Sequence, residues 1–474
     1  MKKISEVCDP VIRQVELENG LVKGLPANDP RITVYKGIPF ADKPIHENRF
    51  RAPMPCPNWQ EPLEAYAFQA ISVQDTPGIG DDLYTREWHV DSKIAMSEDC
   101  LYLNIWTNAK SETDCKPVLI WFFGGAFQWG YPSEMEFNGE RIARRDVILV
   151  TVNYRLNVFG FLAHPELTKE QSDAPTNFGL LDQKAGIEWV KSNIHKFGGD
   201  PNNITIAGQS AGAAAVLTHT VMPQNTGLFQ KAIMMSGMFH EVCEHELIQA
   251  PPTLTEAEKN GEAFFKFLGI KSLEEARALD AFYIRDQYCE YAKTNKRMVI
   301  NMDQNYCNGN PIHLFRKNKQ LQIPMLFGNT DREFLLNDSE KEKLGLQLKE
   351  PLSIIEYTIL DAIKRCEMNG NQKDHFYYRF EEEIPGEGSG EAFHSVDLWF
   401  FFETLSHCSR PYEGKHYDLS RIMCNYLTNF VKHANPNGYD HDDKEMKDWL
   451  PYKQELPFEM CFHSKQSFIK RGGI

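Results

Sequence analysis

Four apolar runs constrain this chain more than any other feature. They read PVLIWFF (117–123), DVILVTVNY (146–154), ITIAG (204–208) and IPMLFGNT (323–330). A strand that is apolar along its whole length buries both of its faces, which happens in a mainly parallel sheet covered by helices. HFYYRF (375–380) reads as one more buried strand, while LYLNIWTN (101–108) alternates and TVYKGIPFA (33–41) ends in a Gly-Ile-Pro turn. Between the runs, residues 179–198 carry Leu180, Ala185, Ile187, Trp189, Val190 and Ile194 at helical spacing. A Gly-Gly-Asp-Pro break at 198–201 separates that helix from the next strand. This alternation defines an α/β fold with a large, mostly parallel central sheet flanked by helices.

The 474 residues fit one domain, 1–474, with insertions rather than several independent units. Residues 240–320 are helical and polar with no clear strand, as expected of a cap. Residues 60–97 are irregular, with Pro77, Gly78 and Gly80, as expected of a loop over the site entrance. The mean hydropathy is −0.46. No apolar run approaches the roughly 20 residues that span a bilayer. Lys2 and Lys3 are followed by Glu6, Asp9 and Arg13 rather than an apolar leader, so a cytoplasmic protein with no membrane partner is expected. A net charge of −15 repels phosphate backbones and excludes nucleic acid as a partner. The charged segment 441–448, HDDKEMKD, reads as a solvated helix face. The 11 cysteines are odd in number and form no C-x-x-C pair, which points to free, mostly buried thiols.

Gly208-Gln209-Ser210-Ala211-Gly212 joins the run ITIAG to the helical stretch Ala213-Ala214-Ala215-Val216. This is the G-x-S-x-G pattern of a nucleophile elbow, in which a serine sits in a strained turn between strand and helix. The competing reading is an ordinary turn serine; the strand before it and the helix after it favour the elbow. The N–H of Ala211 then faces a developing oxyanion at a helix N-terminus. Upstream, the run 117–123 ends in Gly124-Gly125-Ala126-Phe127. Small residues there expose backbone N–H groups, so Gly125 and Ala126 are assigned to the oxyanion hole with Ala211. A hydrolase of this type follows the order serine, acid, histidine. Among the later histidines (His375, His394, His407, His416, His433, His441 and His463), His394 stands between the loop GEGSGEAF and the apolar stretch SVDLWFFFETL. The acid belongs after the strand 323–330, where Asp331 and Glu333 both qualify.

At these residues the chain resembles the type-B carboxylesterases, which include para-nitrobenzyl esterases and cholinesterases. KGIPFA (36–41), NRFRAP (48–53) and SEDCLYLNIW (97–106) resemble the family's first signatures. GGAF (124–127), VNYRLNVFGFL (152–162), NFGLLDQ (177–183) and WVKSNIHKFGGDPNNITIAGQSAG (189–212) continue the series. GLFQKAIMMSG (227–237) and ANPNG (434–438) complete it. The resemblance implies the α/β-hydrolase fold, with a mixed central sheet and the site at the base of a gorge. It selects Glu333 over Asp331, since the family's acid lies five residues after the strand-end glycine, here Gly328. His394-Ser395-Val396-Asp397-Leu398 is similar to the family's H-x-x-E/D-L segment. Three departures stand out. Gln209 replaces the usual glutamate before the serine. Phe123 stands where the family often has His or Tyr. The cysteine that pairs with the SEDC cysteine is missing from Ser72-Val73-Gln74, leaving Cys100 without that bridge. The 61 residues from Glu333 to His394 are few for the family and imply a trimmed cap between them.

The resulting expectation is a serine carboxylesterase that acts on a small-molecule ester through a Ser210–His394–Glu333 triad and an acyl-enzyme, as a monomer or small homo-oligomer. No metal or organic cofactor is required. Phe123, Phe127, Gln209 and Trp399 are the candidate pocket residues, and an aromatic pocket favours short-chain acyl and aryl esters. Feruloyl-type esterase and lipase are the alternative enzymes. A non-catalytic cholinesterase-like binding protein is the alternative from another class.

Overall fold

The computed structural model describes residues 11–471, apart from 81, 89, 239, 246–249, 349, 388–389, 441–442 and 466–467, and the side chains of 468–471. The expectations for the N-terminal leader, Cys8, His441 and part of the loop before His394 fall on residues outside that set. The strands are β1 (Gln14–Leu17), β2 (Gly20–Lys23), β3 (Leu25–Pro26), β4 (Thr33–Pro39), β5 (Leu63–Glu64), β6 (Tyr102–Thr107) and β7 (Lys116–Phe122). They continue with β8 (Ile148–Val152), β9 (Gly199–Gln209), β10 (Lys231–Met235), β11 (Met325–Thr330), β12 (His375–Phe380), β13 (Phe458–Phe462) and β14 (Phe468–Arg471). β1, β2 and β5 form a small sheet; the rest form one sheet of 11 strands in the order β14-β13-β12-β11-β10-β9-β7-β8-β6-β4-β3.

The central strands β8, β7, β9, β10, β11, β12 and β13 pair in parallel, and the antiparallel pairs lie toward the two ends. The apolar runs are therefore where the sheet is parallel and covered on both faces. Every residue of β8, β10 and β11 is buried. β9 begins five residues before the run that marked it, because Gly199-Asp200-Pro201-Asn202-Asn203, which has no apolar run to mark it, extends the strand. The helix Phe178–Asn193 buries Leu180, Ile187, Trp189 and Val190 and passes through a 3-10 turn, Ile194–Phe197, to Gly198 at φ 80°.

Two buried ion pairs cross-link the motifs. Arg155 donates through Nε and Nη2 to Asp182 at 2.8 and 2.6 Å, joining VNYR to LLDQ. Arg49 meets Glu98 at 2.5 Å and also donates to the carbonyls of Ala276 and Leu279. The two N-terminal signatures thus hold each other and the 240–320 segment. That segment folds into the helices Leu254–Leu268, Leu273–Ala278, Ala281–Tyr291 and Pro311–Arg316. The first is fixed at its N-terminus by a capping box between Thr253 and Glu256. Among the described residues of 60–97, the regular elements are β5 and the short helix Leu83–Glu87 capped by Asp82.

One local expectation fails. Residues 443–448 form no helix: the Lys444 N–H donates to the Asp440 side chain, and Glu445 bridges to Tyr439, because a stretch so poor in apolar residues has no face to bury. The apolar stretch after His394 forms only the helix Asp397–Phe401, stopped by Glu403 at φ 54°. None of the ten described cysteines is in a disulfide, and five of them are not fully buried. Ser72 occupies the place opposite Cys100, its Oγ 3.4 Å from the sulfur. Among the described residues, no helix is long and apolar enough to cross a membrane.

Candidate active site

The register of the parallel strands brings the motifs together at their C-terminal ends. Phe122 lies beside Gly208, Gln209 beside Met235, and Met235 beside Gly328. Each chain then leaves its strand at the same edge, which is where α/β sheets place their sites.

Ser210 caps the helix Ala211–Val221 with φ 55° and ψ −123°, a backbone conformation that non-glycine residues rarely hold. Its N–H donates to Met235 O at 2.9 Å. The tight strand-to-helix approach explains both glycines of the motif. A Cβ on Gly208 would lie 2.4 Å from Gly212 C, and one on Gly212 would lie 2.1 Å from Phe122 O. Gly124 runs alongside, where an added Cβ would lie 3.1 Å from Ser210 Cβ. Gly125, Ala126 and Phe127 all have positive φ, which swings this loop around the serine. Among the described residues, the N–H groups of Gly125 and Ala126 donate to no protein acceptor. Ala211 opens its helix, where an N–H has no intrahelical acceptor.

Glu333 is buried beneath His394. Its Oε1 accepts the Thr330 N–H at 3.0 Å, and its Oε2 is hydrogen-bonded to His394 Nδ1. Asp331 faces away and pairs with Arg332 at 3.1 Å and Arg379 at 3.7 Å. The ring of Phe334 packs edge-on against the imidazole at 4.8 Å, and the Tyr84 hydroxyl donates to His394 O at 3.3 Å. His394 Nε2 meets the Gln209 side-chain amide at 3.2 Å rather than the Ser210 hydroxyl. Ser210, His394 and Gln209 all line one cavity of about 340 Å³.

Of the four expected pocket residues, Phe127 and Gln209 line this cavity and two do not. Phe123 stacks on Tyr154 at 4.3 Å, and the Tyr154 hydroxyl donates to its carbonyl, so it supports the loop from behind. Trp399 is fully buried behind Trp88, at 6.0 Å between ring centroids. It is Trp88 that reaches the cavity, with Tyr84, from the 60–97 segment. The 240–320 segment adds Val299, Ile300, Pro311 and Ile312. Glu134 and Glu136 also line the wall, and sequence reasoning missed both. Among the described residues, no group of three or more metal-ligating side chains is present.

A serine in a strained strand-to-helix turn, a carboxylate–histidine pair and free N–H groups at the sheet edge define an α/β hydrolase. The carboxylesterase family model matches residues 12–345 and 338–471, and the chain belongs to that family. It is a carboxylic ester hydrolase. The para-nitrobenzyl esterase of Bacillus subtilis is 30% identical over 93% of each chain. The acetylcholinesterase of Bungarus fasciatus is 41% identical over 47% of this chain and 36% of its own. A solved para-nitrobenzyl esterase structure superposes with a TM-score of 0.81 at 27% identity over 97% of both chains. A Geobacillus stearothermophilus carboxylesterase does so with a TM-score of 0.78, also at 27% identity, over 97% of this chain and 98% of its own.

Proposed function

We propose that Ser210 is the nucleophile, His394 its general base and Glu333 the group that orients the imidazole. Glu333 accepts the Nδ1 proton, which leaves Nε2 as a base. Ser210 attacks the ester carbonyl as His394 takes its proton. The N–H groups of Gly125, Ala126 and Ala211 stabilise the tetrahedral oxyanion. The alcohol leaves with the proton from His394, and water then releases the acid from the acyl-enzyme. In the resting arrangement Gln209 donates to Nε2, so the ring must exchange that donor for Ser210 Oγ when substrate binds. The two residues are adjacent in the chain, and such hydrogen bonds tighten in the Michaelis complex.

The observation that carries this reading is the convergence of Ser210 and the Glu333–His394 pair on one cavity. Phe127, Trp88, Ile300 and Leu398 give that cavity an apolar lining, which favours short-chain acyl and aryl esters. The test is hydrolysis of para-nitrophenyl esters from acetate to decanoate by wild type and Ser210→Ala. Turnover that is lost in a folded Ser210→Ala protein supports the assignment. Turnover that persists in that variant removes it, and a rate that jumps on emulsified long-chain ester replaces the short-chain range with a lipase reading.

A further inference from the structure

We infer that the Glu134–Glu136 carboxyl pair is a specificity subsite of this cavity, which takes a hydroxyl group on the substrate. The inference rests on the reading that the Ser210 cavity holds the ester.

The pair sits just past the oxyanion loop, on the 3-10 turn Met135–Phe137 and its N-cap. Both side chains line the same cavity as Ser210 and His394. The turn is held firmly: Glu134 Oε1 accepts the Tyr131 N–H at 2.9 Å, and Glu136 O accepts the Thr404 hydroxyl at 3.1 Å. Glu136 is 1% exposed, and its Oε2 has no hydrogen-bond partner among the described residues. The Glu134 carboxyl is the charged neighbour of the Glu136 carboxyl. Burial, and then the neighbouring carboxylate, push Glu136 well above the usual carboxylate range.

A buried carboxyl oxygen without a donor is costly unless something in the cavity supplies one. A substrate hydroxyl supplies it at small desolvation cost. An ammonium ion loses far more hydration on entering a cavity walled by Trp88, Phe137 and Leu398, and burial, which favours the uncharged form of Glu136, weakens the counter-charge it would meet. The pair therefore reads as a hydroxyl acceptor set in an apolar wall.

The test compares kcat/KM for matched esters on wild type, Glu136→Gln and Glu134→Gln. One pair of substrates, 4-hydroxyphenyl acetate and phenyl acetate, places the hydroxyl in the alcohol half. The other, methyl 4-hydroxyphenylacetate and methyl phenylacetate, places it in the acyl half. Wild type is expected to favour the hydroxylated member of one pair by at least about tenfold. The variants are expected to bring that ratio toward one by lowering kcat/KM for the hydroxylated ester more than for its unhydroxylated partner. No preference in wild type for either pair overturns the inference without any variant. So does an equal loss on both members, which marks a structural role, or a preference for an ammonium-bearing ester of the same size. If Ser210→Ala retains turnover, it is the underlying catalytic reading that has failed.

Discussion

Replacing Gly212 with alanine tests whether the serine is held by the close approach of strand and helix. The new Cβ would lie 2.1 Å from Phe122 O and 2.8 Å from Phe122 C. Backbone carbonyls cannot swing aside as a long side chain does, so reaching even 3.0 Å moves the helix start by about 0.9 Å. Ser210 is two residues away and shares that backbone. A displacement of about 1 Å at a reacting group costs on the order of 100-fold in rate. Overpacking of this kind also removes about 1–3 kcal/mol of stability. Gly212→Ala should therefore lower kcat on para-nitrophenyl acetate by about 100-fold, change KM by less than about threefold, and reduce the Tm by several degrees. Gly414→Ala is the control. Gly414 opens the helix Gly414–His433, has no positive φ, and has nothing within 4 Å of an added Cβ. That substitution should leave kcat unchanged and stabilise by about 0.4–1 kcal/mol. A folded Gly212→Ala protein with kcat within about threefold of wild type would refute the argument that this contact sets the serine.

Three further outcomes follow from the same geometry. Glu333→Gln should lower kcat by about 10²–10⁴ with little change in KM, whereas Asp331→Asn should stay within a few-fold, since Asp331 pairs with Arg332 and Arg379; steady-state kinetics showing the reverse order would exchange their roles. Gln209→Glu sets a carboxylate beside His394 Nε2 and favours the protonated ring, so the acid limb of the kcat/KM profile should move up by roughly one pH unit; an unmoved limb would mean the contact at 3.2 Å does not persist in solution. Burial pushes His219 and His375 down to about 3, so both stay neutral in the fold while the unfolded chain takes up their protons below its ordinary value of 6.5. Their contribution is complete above that value and is lost as the pH falls toward 3, so the Tm followed by circular dichroism should drop steadily through that window, and a flat profile would contradict it.

The parts of this molecule legible in its sequence are those that strand geometry dictates. A run such as ILVTV has no polar face to offer water, so it belongs inside a covered sheet, and β8 lies there, between β7 and β6. Parallel strands deliver their ends to one edge, so residues placed just after three such runs, Gly125, Ser210 and Glu333, were bound to meet there. Phe123 and Phe127 show where this reasoning stops. Both follow β7, but only the positive φ of Ala126 and Phe127 decides which ring turns into the cavity, and no apolar pattern encodes a loop's φ. Trp88 and Trp399 differ in the same way, one at the C-cap of the short helix Leu83–Glu87 and the other inside the helix Asp397–Phe401 behind it. The turn 135–137 goes further and inverts the pattern. Hydropathy puts Met135 inside and Glu136 outside; the fold leaves Met135 38% exposed and Glu136 1% exposed. Burying a carboxyl against its own preference costs folding free energy, and a chain with 30 phenylalanines had apolar side chains to put there instead. Such reversals survive where a site needs them, and this one faces the same cavity as Ser210.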